Sequence, residues 1–219
     1  MLIFWVSILA LGILLYGLLQ EFDLGVALLF GFTRHKGRHS TPIRTAAPMS
    51  GGDETWVIVA GVVVCAAFRS VYTTLLSAFY LPFLLMLAGL MLHGVASERR
   101  STAERLRWVW DAAFFGGSLV AAFMQGLMLG ALIEGLIISR GRYTGDEFSW
   151  WSLFAAMCGA GGLCIGYALL CVSWLVRKYR DDVRTAAFRL VPTLSLGSLL
   201  ALVFVFVYSM AANLNLLAH

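Results

Sequence analysis

Apolar residues in this chain run in long unbroken stretches, separated by short segments where charges, Gly and Ser collect. Six stretches stand out, at roughly 2–31, 55–72, 75–97, 111–139, 150–176 and 190–217. A helix that crosses a bilayer needs about 20 mostly apolar residues, so each stretch predicts a transmembrane α-helix. Barrel strands would alternate apolar and polar positions over about ten residues, and these runs do not alternate. The expected architecture is therefore all-α: a polytopic helix bundle of about six spans. It forms a single transmembrane domain over 1–219, with a first four-helix bundle at about 1–140 and two further spans at about 150–217. Only Arg69 and Ser70 interrupt the second and third runs, so one broken span there is the alternative.

The basic residues test that layout. Arg34, Lys36, Arg38 and Arg44 follow the first run, Arg99, Arg100, Arg105 and Arg107 the third, and Arg177, Lys178, Arg180, Arg184 and Arg189 the fifth. The other side receives only Arg69, Arg140 and Arg142 of the 16 Lys and Arg. Basic loops stay cytoplasmic, which places both termini outside. The first run has no basic stretch before it and continues past EFDLG (21–25) without a small-residue cleavage site, so it reads as a span and not as a signal peptide. The loop at 32–54 is the one sizeable connection, and no clear internal repeat is visible.

Composition agrees. Hydrophobic residues make up 60% and charged residues 13%, against about 45–50% and about 25% in soluble domains. Too few charges remain to cover a water-facing surface. That excludes a soluble enzyme and a nucleic-acid-binding domain, despite the net charge of +4. The seven Trp, seven Tyr and 15 Phe supply material for aromatic belts at the interfaces.

Candidate chemistry is sparse. Cys65, Cys158, Cys164 and Cys171 form no CxxC pattern and lie in apolar runs, where Cys packs as a small hydrophobe. His35 and His39 fall in the basic loop, His93 closes the third run and His219 is terminal, so no His pair is available to ligate a haem inside the bilayer. Met86, Met124 and Met128 are expected to fill gaps. Polar residues within spans are therefore the place to look for function. Tyr16, Gln20 and Asp23 fall at i, i+4 and i+7 on one face of the first span, while Glu21 points elsewhere. Asp23 is read either as part of a proton or ion path or as an interhelical contact, against the plain alternative of an acid snorkelling at a helix end. Asp111, Ser118 and Gln125 recur every seven residues on the fourth span, with Asp111 expected to cap the helix start and Glu134 on the opposite face. Gly116, Gly117, Gly159, Gly161 and Gly162 suggest close helix contacts.

Four segments, at EFDLG (21–25), LHGVASERR (92–100), 110–135 and IGYALLCVSWLVRK (165–178), together resemble subunit II of cytochrome bd-type quinol oxidases, in the cyanide-insensitive branch. EFDLG (21–25) is similar to that family's GFDLG, and LHGVASERR (92–100) to LRGVAFEFR. WDAAFFGGSLVAAFMQGLMLGALIEG (110–135) follows its WD…GS…QG…LG order, and IGYALLCVSWLVRK (165–178) resembles GYALLGATWLVMK. The matches are collinear from about residue 20 to about residue 190. The resemblance implies a haem-free subunit of a complex that oxidises membrane quinol and reduces oxygen to water, in the bacterial cytoplasmic (inner) membrane. Haems are expected in a partner subunit I and none on this chain alone. A small single-span subunit, membrane lipid and quinone are further expected partners, with a structural quinone or lipid on the chain itself and no nucleic acid. It implies structural roles for Phe22, Gly25, Pro48, Gly52, Trp56, Trp110, Ser118 and Gly126, and makes Asp23, Glu21, Asp53, Glu54, Asp111 and Gln125 candidates for a proton path or a subunit interface.

The chain departs from the family pattern in three places. PMSGGDETW (48–56) aligns with P-x-W-D-G-N-E-x-W, so Ser50, Gly51 and Asp53 stand where the family has Trp, Asp and Asn. The aspartate usually assigned to proton delivery is therefore Gly51, and Asp53 is the nearby substitute. His93 stands at the family's arginine, and the family has more than six spans. The rival readings are a six-span secondary transporter or exporter using Asp23 and Glu21, and a scaffold subunit of a bd-like complex without oxidase activity.

Overall fold

The computed structural model describes residues 2–34, 53–102, 107–136, 138–139, 142–143, 152, 154, 158–178 and 182–217. The first helix, α1 (Leu2–Arg34), contains no Pro to interrupt it. A second helix, α2, spans Asp53–Ala67. After a break at Phe68 comes α3 (Arg69–Thr102). Hydrogen bonds continue through the break, from Phe68 N to Val64 O and from Tyr72 N to Phe68 O, both 2.9 Å.

The expected boundary between the second and third spans is thus corrected. Arg69 and Ser70 do not interrupt a run but open α3. Its polar first turns are self-satisfied: Thr74 donates to the Ser70 carbonyl at 2.9 Å and Ser77 to the Thr73 carbonyl at 2.8 Å. Hydroxyls returned to the i−4 carbonyl need no water, so a Ser/Thr-rich stretch can enter a helix. Further on, Pro82 bends α3. Its ring opposes the carbonyl four residues back, and Phe79 takes φ −115° and ψ 22°, outside helical values.

The next helix, α4 (Arg107–Glu134), begins a turn before and ends five residues short of the expected 111–139. Gly135 stops it with φ +102°, donating its N–H to the Ala131 carbonyl at 3.1 Å. Such a left-handed cap suits glycine, and the apolar residues after it had lengthened the run. They enter a minimal antiparallel pair, β1 (Ile138–Ser139) with β2 (Arg142–Tyr143), in register Ile138 to Tyr143. A six-residue π turn (Cys158–Leu163) leads into α5 (Cys164–Lys178), and α6 (Asp182–Leu217) follows, starting well before the expected residue 190.

Among the described residues, three helical segments are long and apolar enough to cross a membrane: Arg69–Arg99, Trp108–Glu134 and Leu190–Tyr208. Ile3–Gly17, Ile58–Ala67 and Gly161–Arg177 are shorter apolar helices. Many large apolar side chains face outward, Ile3 at 81% exposure among them, and no residue of the apolar segment of α6 is fully buried. In water this surface would aggregate. In lipid it costs nothing, and helix packing itself must hold the bundle.

The core centres on the second half of α1. Leu24 and Leu28 pack with Met86 and Leu90 of α3, Ala121 and Ala122 of α4, and Tyr167 of α5. Val26 and Leu29, on the adjoining face, meet Ala168, Cys171, Val172 and Leu175 of α5, with Leu190 and Leu194 of α6 behind them. Small residues set the spacing. A Cβ on Gly89 would lie 2.8 Å from the Gly117 carbonyl, and one on Gly117 would lie 2.8 Å from the Gly89 carbonyl. The backbones of α3 and α4 therefore touch. A Cβ on Gly116 or Gly162 would meet no neighbouring element within 4 Å, so not every glycine of the expected close-contact set performs that role.

Candidate functional site: a polar joint between α1, α4 and α5

Gln125 sits on the inner face of α4, 7% exposed. Its amide nitrogen donates to the hydroxyl of Tyr16 on α1, and its carbonyl accepts from the Tyr167 hydroxyl on α5 at 2.9 Å. One amide thus ties three helices. Gly25, nine residues along α1 from Tyr16, packs against the Tyr167 carbonyl, and a Cβ there would also lie 2.8 Å from Cys171 Cβ. The absence of a side chain at Gly25 is what lets α1 and α5 approach around the joint.

Gln20, one turn beyond Tyr16, is 4% exposed, and its Oε1 has no hydrogen-bond partner among the described residues. Asp23 is half-buried and within electrostatic reach of Cys171. The expected face of Tyr16, Gln20 and Asp23 therefore turns toward protein. Glu21 and Phe22 lie in α1, and their side chains fall outside the described residues.

A second polar pair joins α3 to α4. Ser118 donates its proton to the Phe114 carbonyl at 2.7 Å, so its oxygen must accept from His93 Nδ1 at 2.6 Å. That fixes a proton on Nδ1. The His93 ring stacks on Phe114 with centroids 4.7 Å apart. His93 was expected at the end of its span. It lies instead two turns inside α3 and is buried, because the polar ASERRST tail continues the helix. The signal for it was Gly89 four residues earlier, whose close approach to α4 brings His93 against Ser118.

Asp111, expected to cap, lies a turn inside α4, half-buried, because the helix starts at Arg107. Trp110 packs with Ala27, Ala96 and Phe114, and Gly126 is buried. Asp53, Glu54 and Trp56 occupy the first turn of α2, with side chains outside the described residues. Pro48 and Gly52, like Ser50, Gly51, His35 and His39, also lie outside them.

The donor set speaks to chemistry. Tyrosine and glutamine hold or orient a hydrogen-bonded proton, but a neutral amide is neither acid nor base at physiological pH. His93 commits Nδ1 to Ser118. Met86 is packed within an apolar cluster, with Met124 and Met128 against it. Among the described residues no group of three His, Cys, Asp or Glu could hold a metal ion.

Long apolar helices joined by buried polar contacts define a multi-pass helical membrane protein. The chain belongs to the family described as cytochrome bd terminal oxidase subunit II, which matches residues 1–219. It is 30% identical over 220 residues to a probable cytochrome oxidase subunit 2 of Haemophilus influenzae, covering 94% of this chain and 57% of that one. It is 34% identical over 123 residues to cytochrome bd ubiquinol oxidase subunit 2 of Bacillus subtilis, covering 55% and 36%. With cytochrome bd-I ubiquinol oxidase subunit 2 of Escherichia coli K12 the identity is 37% over 126 residues, covering 54% and 32%. The chain spans about half the length of these relatives, or less.

Proposed function

We propose that this chain is the haem-free subunit II of a bd-type quinol:oxygen oxidoreductase in the bacterial inner membrane, which supports assembly of a haem-bearing subunit I and gives protons access to it. The observation that carries the reading is the convergence of three family-like segments on one joint. Gln125 from the WD…QG segment and Tyr167 from IGYALL share a hydrogen bond, and Gly25 from EFDLG packs on the Tyr167 backbone carbonyl. Segments that carry a family's pattern and also hold its helices together favour a shared assembly over a chance likeness. In this reading the chain crosses the membrane six times as one domain with both termini external, and the described helices support it with three long and three shorter apolar segments. The catalytic haems belong to the partner. Asp23, half-buried beside α5, is the candidate for proton access or for an interface contact, and Asp53 stands near the position where Gly51 replaces the family aspartate. A small single-span subunit and bound quinone belong to the same proposal.

The test is purification of the intact complex from native membranes, followed by reduced-minus-oxidised optical spectra and quinol-driven oxygen consumption. Haem bands and oxygen uptake that co-purify with the chain are expected. Purification without any haem-bearing partner, together with solute transport by the chain in vesicles, would overturn the reading in favour of a transporter.

A further inference from the structure

An apolar groove lies along α6, and its lining includes none of the residues of the polar joint. It follows α6 from Gly197 to Val207, about 15 Å of helix at about 1.5 Å per residue. Gly161 of the π turn and Ala201 form part of its lining, with Leu200 and Phe204 beside them, and its volume is about 550 Å³. A Cβ on Gly161 would come within 3.9 Å of Ala201 Cβ, so side chains there would narrow it.

The lining is apolar throughout, and a polar pair lies just past Val207. The Phe204 ring stands 6.4 Å from Tyr208, on which Phe154 stacks at 3.9 Å. The Tyr208 hydroxyl donates to Glu134 Oε1 at 3.4 Å, and among the described residues this is the carboxylate's hydrogen-bond partner. Glu134 is exposed and is the last residue of α4. The C-terminal end of a helix carries about half a negative charge, which adds to the carboxylate. A hydrocarbon channel that ends at concentrated negative charge matches an amphiphile with a cationic, hydrogen-bond-donating head.

We propose that this groove holds one acyl chain of an ethanolamine-headed phospholipid, with the ammonium group on Glu134. A choline head has no N–H to donate, and a glycerol head leaves its phosphate charge uncompensated beside Glu134. The proposal rests on this face of α6 being open to the bilayer and not on the oxidase reading, so lipid retention can fail while haem still co-purifies.

The purified complex, reconstituted in vesicles of equal parts phosphatidylethanolamine, phosphatidylcholine and phosphatidylglycerol and then gently re-extracted, is analysed for retained lipid by mass spectrometry. Enrichment of the ethanolamine lipid by about fivefold over the choline lipid is expected, falling below about twofold in Glu134→Gln. Ala201→Trp should lose the retained lipid. A photo-crosslinking residue at Leu200, in an otherwise unchanged chain, should capture lipid. Equal retention of the three lipids, unchanged enrichment in Glu134→Gln, full retention in Ala201→Trp, or a crosslink to another protein chain would each overturn the proposal.

Discussion

Gln125 leaves the most behind when it is removed. Gln125→Leu removes two interhelical hydrogen bonds at once, each worth about 0.6–1.7 kcal/mol between membrane helices. Tyr167→Phe removes one hydrogen bond and should cost about 0.6–1.7 kcal/mol, as such bonds do between membrane helices. Unfolding in mixed micelles, run on both variants and the double variant, should show that the two effects are not additive. Gly25→Ala should destabilise by about 1–3 kcal/mol in the same assay, because its methyl meets a backbone carbonyl that cannot swing aside. Asp23 needs a different pair. If it relays protons, Asp23→Asn should assemble with a full haem spectrum while oxygen uptake falls. If it anchors helices, Asp23→Asn should be mild and Asp23→Leu should block assembly. Spacing alone revealed the face of Tyr16, Gln20 and Asp23 and the stripe of Ser118 and Gln125. It did not reveal that Gln125 answers Tyr16 and Tyr167, because partners 109 and 42 residues away are chosen by helix packing and not by local pattern.

Hydropathy located each helix but misjudged where it stops. A stop is a backbone event: a left-handed Gly135 ended α4 inside a run that stayed apolar, and Phe68 divided two helices that hydropathy split later. Polar residues can also continue a helix when their hydroxyls fold back on it, as Thr74 and Ser77 do, which is why α3 starts earlier than its apolar run. The π turn left no mark in polarity, since CGAGGL is apolar or small throughout. Topology remains to be read directly. A reporter fused after His219 should be accessible from outside the cell, as the clustering of basic residues after the first, third and fifth apolar runs requires. A cytoplasmic signal would mean that one of the shorter apolar helices does not cross.

The bundle as a whole predicts what the isolated chain can carry. Expressed without a partner and purified, it should hold no stoichiometric haem, since His93 is engaged with Ser118 and no second buried His stands among the described residues. A haem-to-chain ratio near one by pyridine haemochrome assay would refute that. The crossing of α3 and α4 has a consequence for descent. At Gly89 and Gly117 each backbone occupies the space that a side chain on the other would need, and both positions already hold the smallest residue. Neither can therefore yield to accommodate a change in its neighbour. Most core contacts evolve by exchange, one side chain growing as another shrinks, but this pair has nothing to trade. A saturation scan should find both positions intolerant, with no suppressor at either one for a substitution at the other. The angle between these two helices is thereby inherited as a fixed quantity, while the lipid-facing residues around it are free to drift.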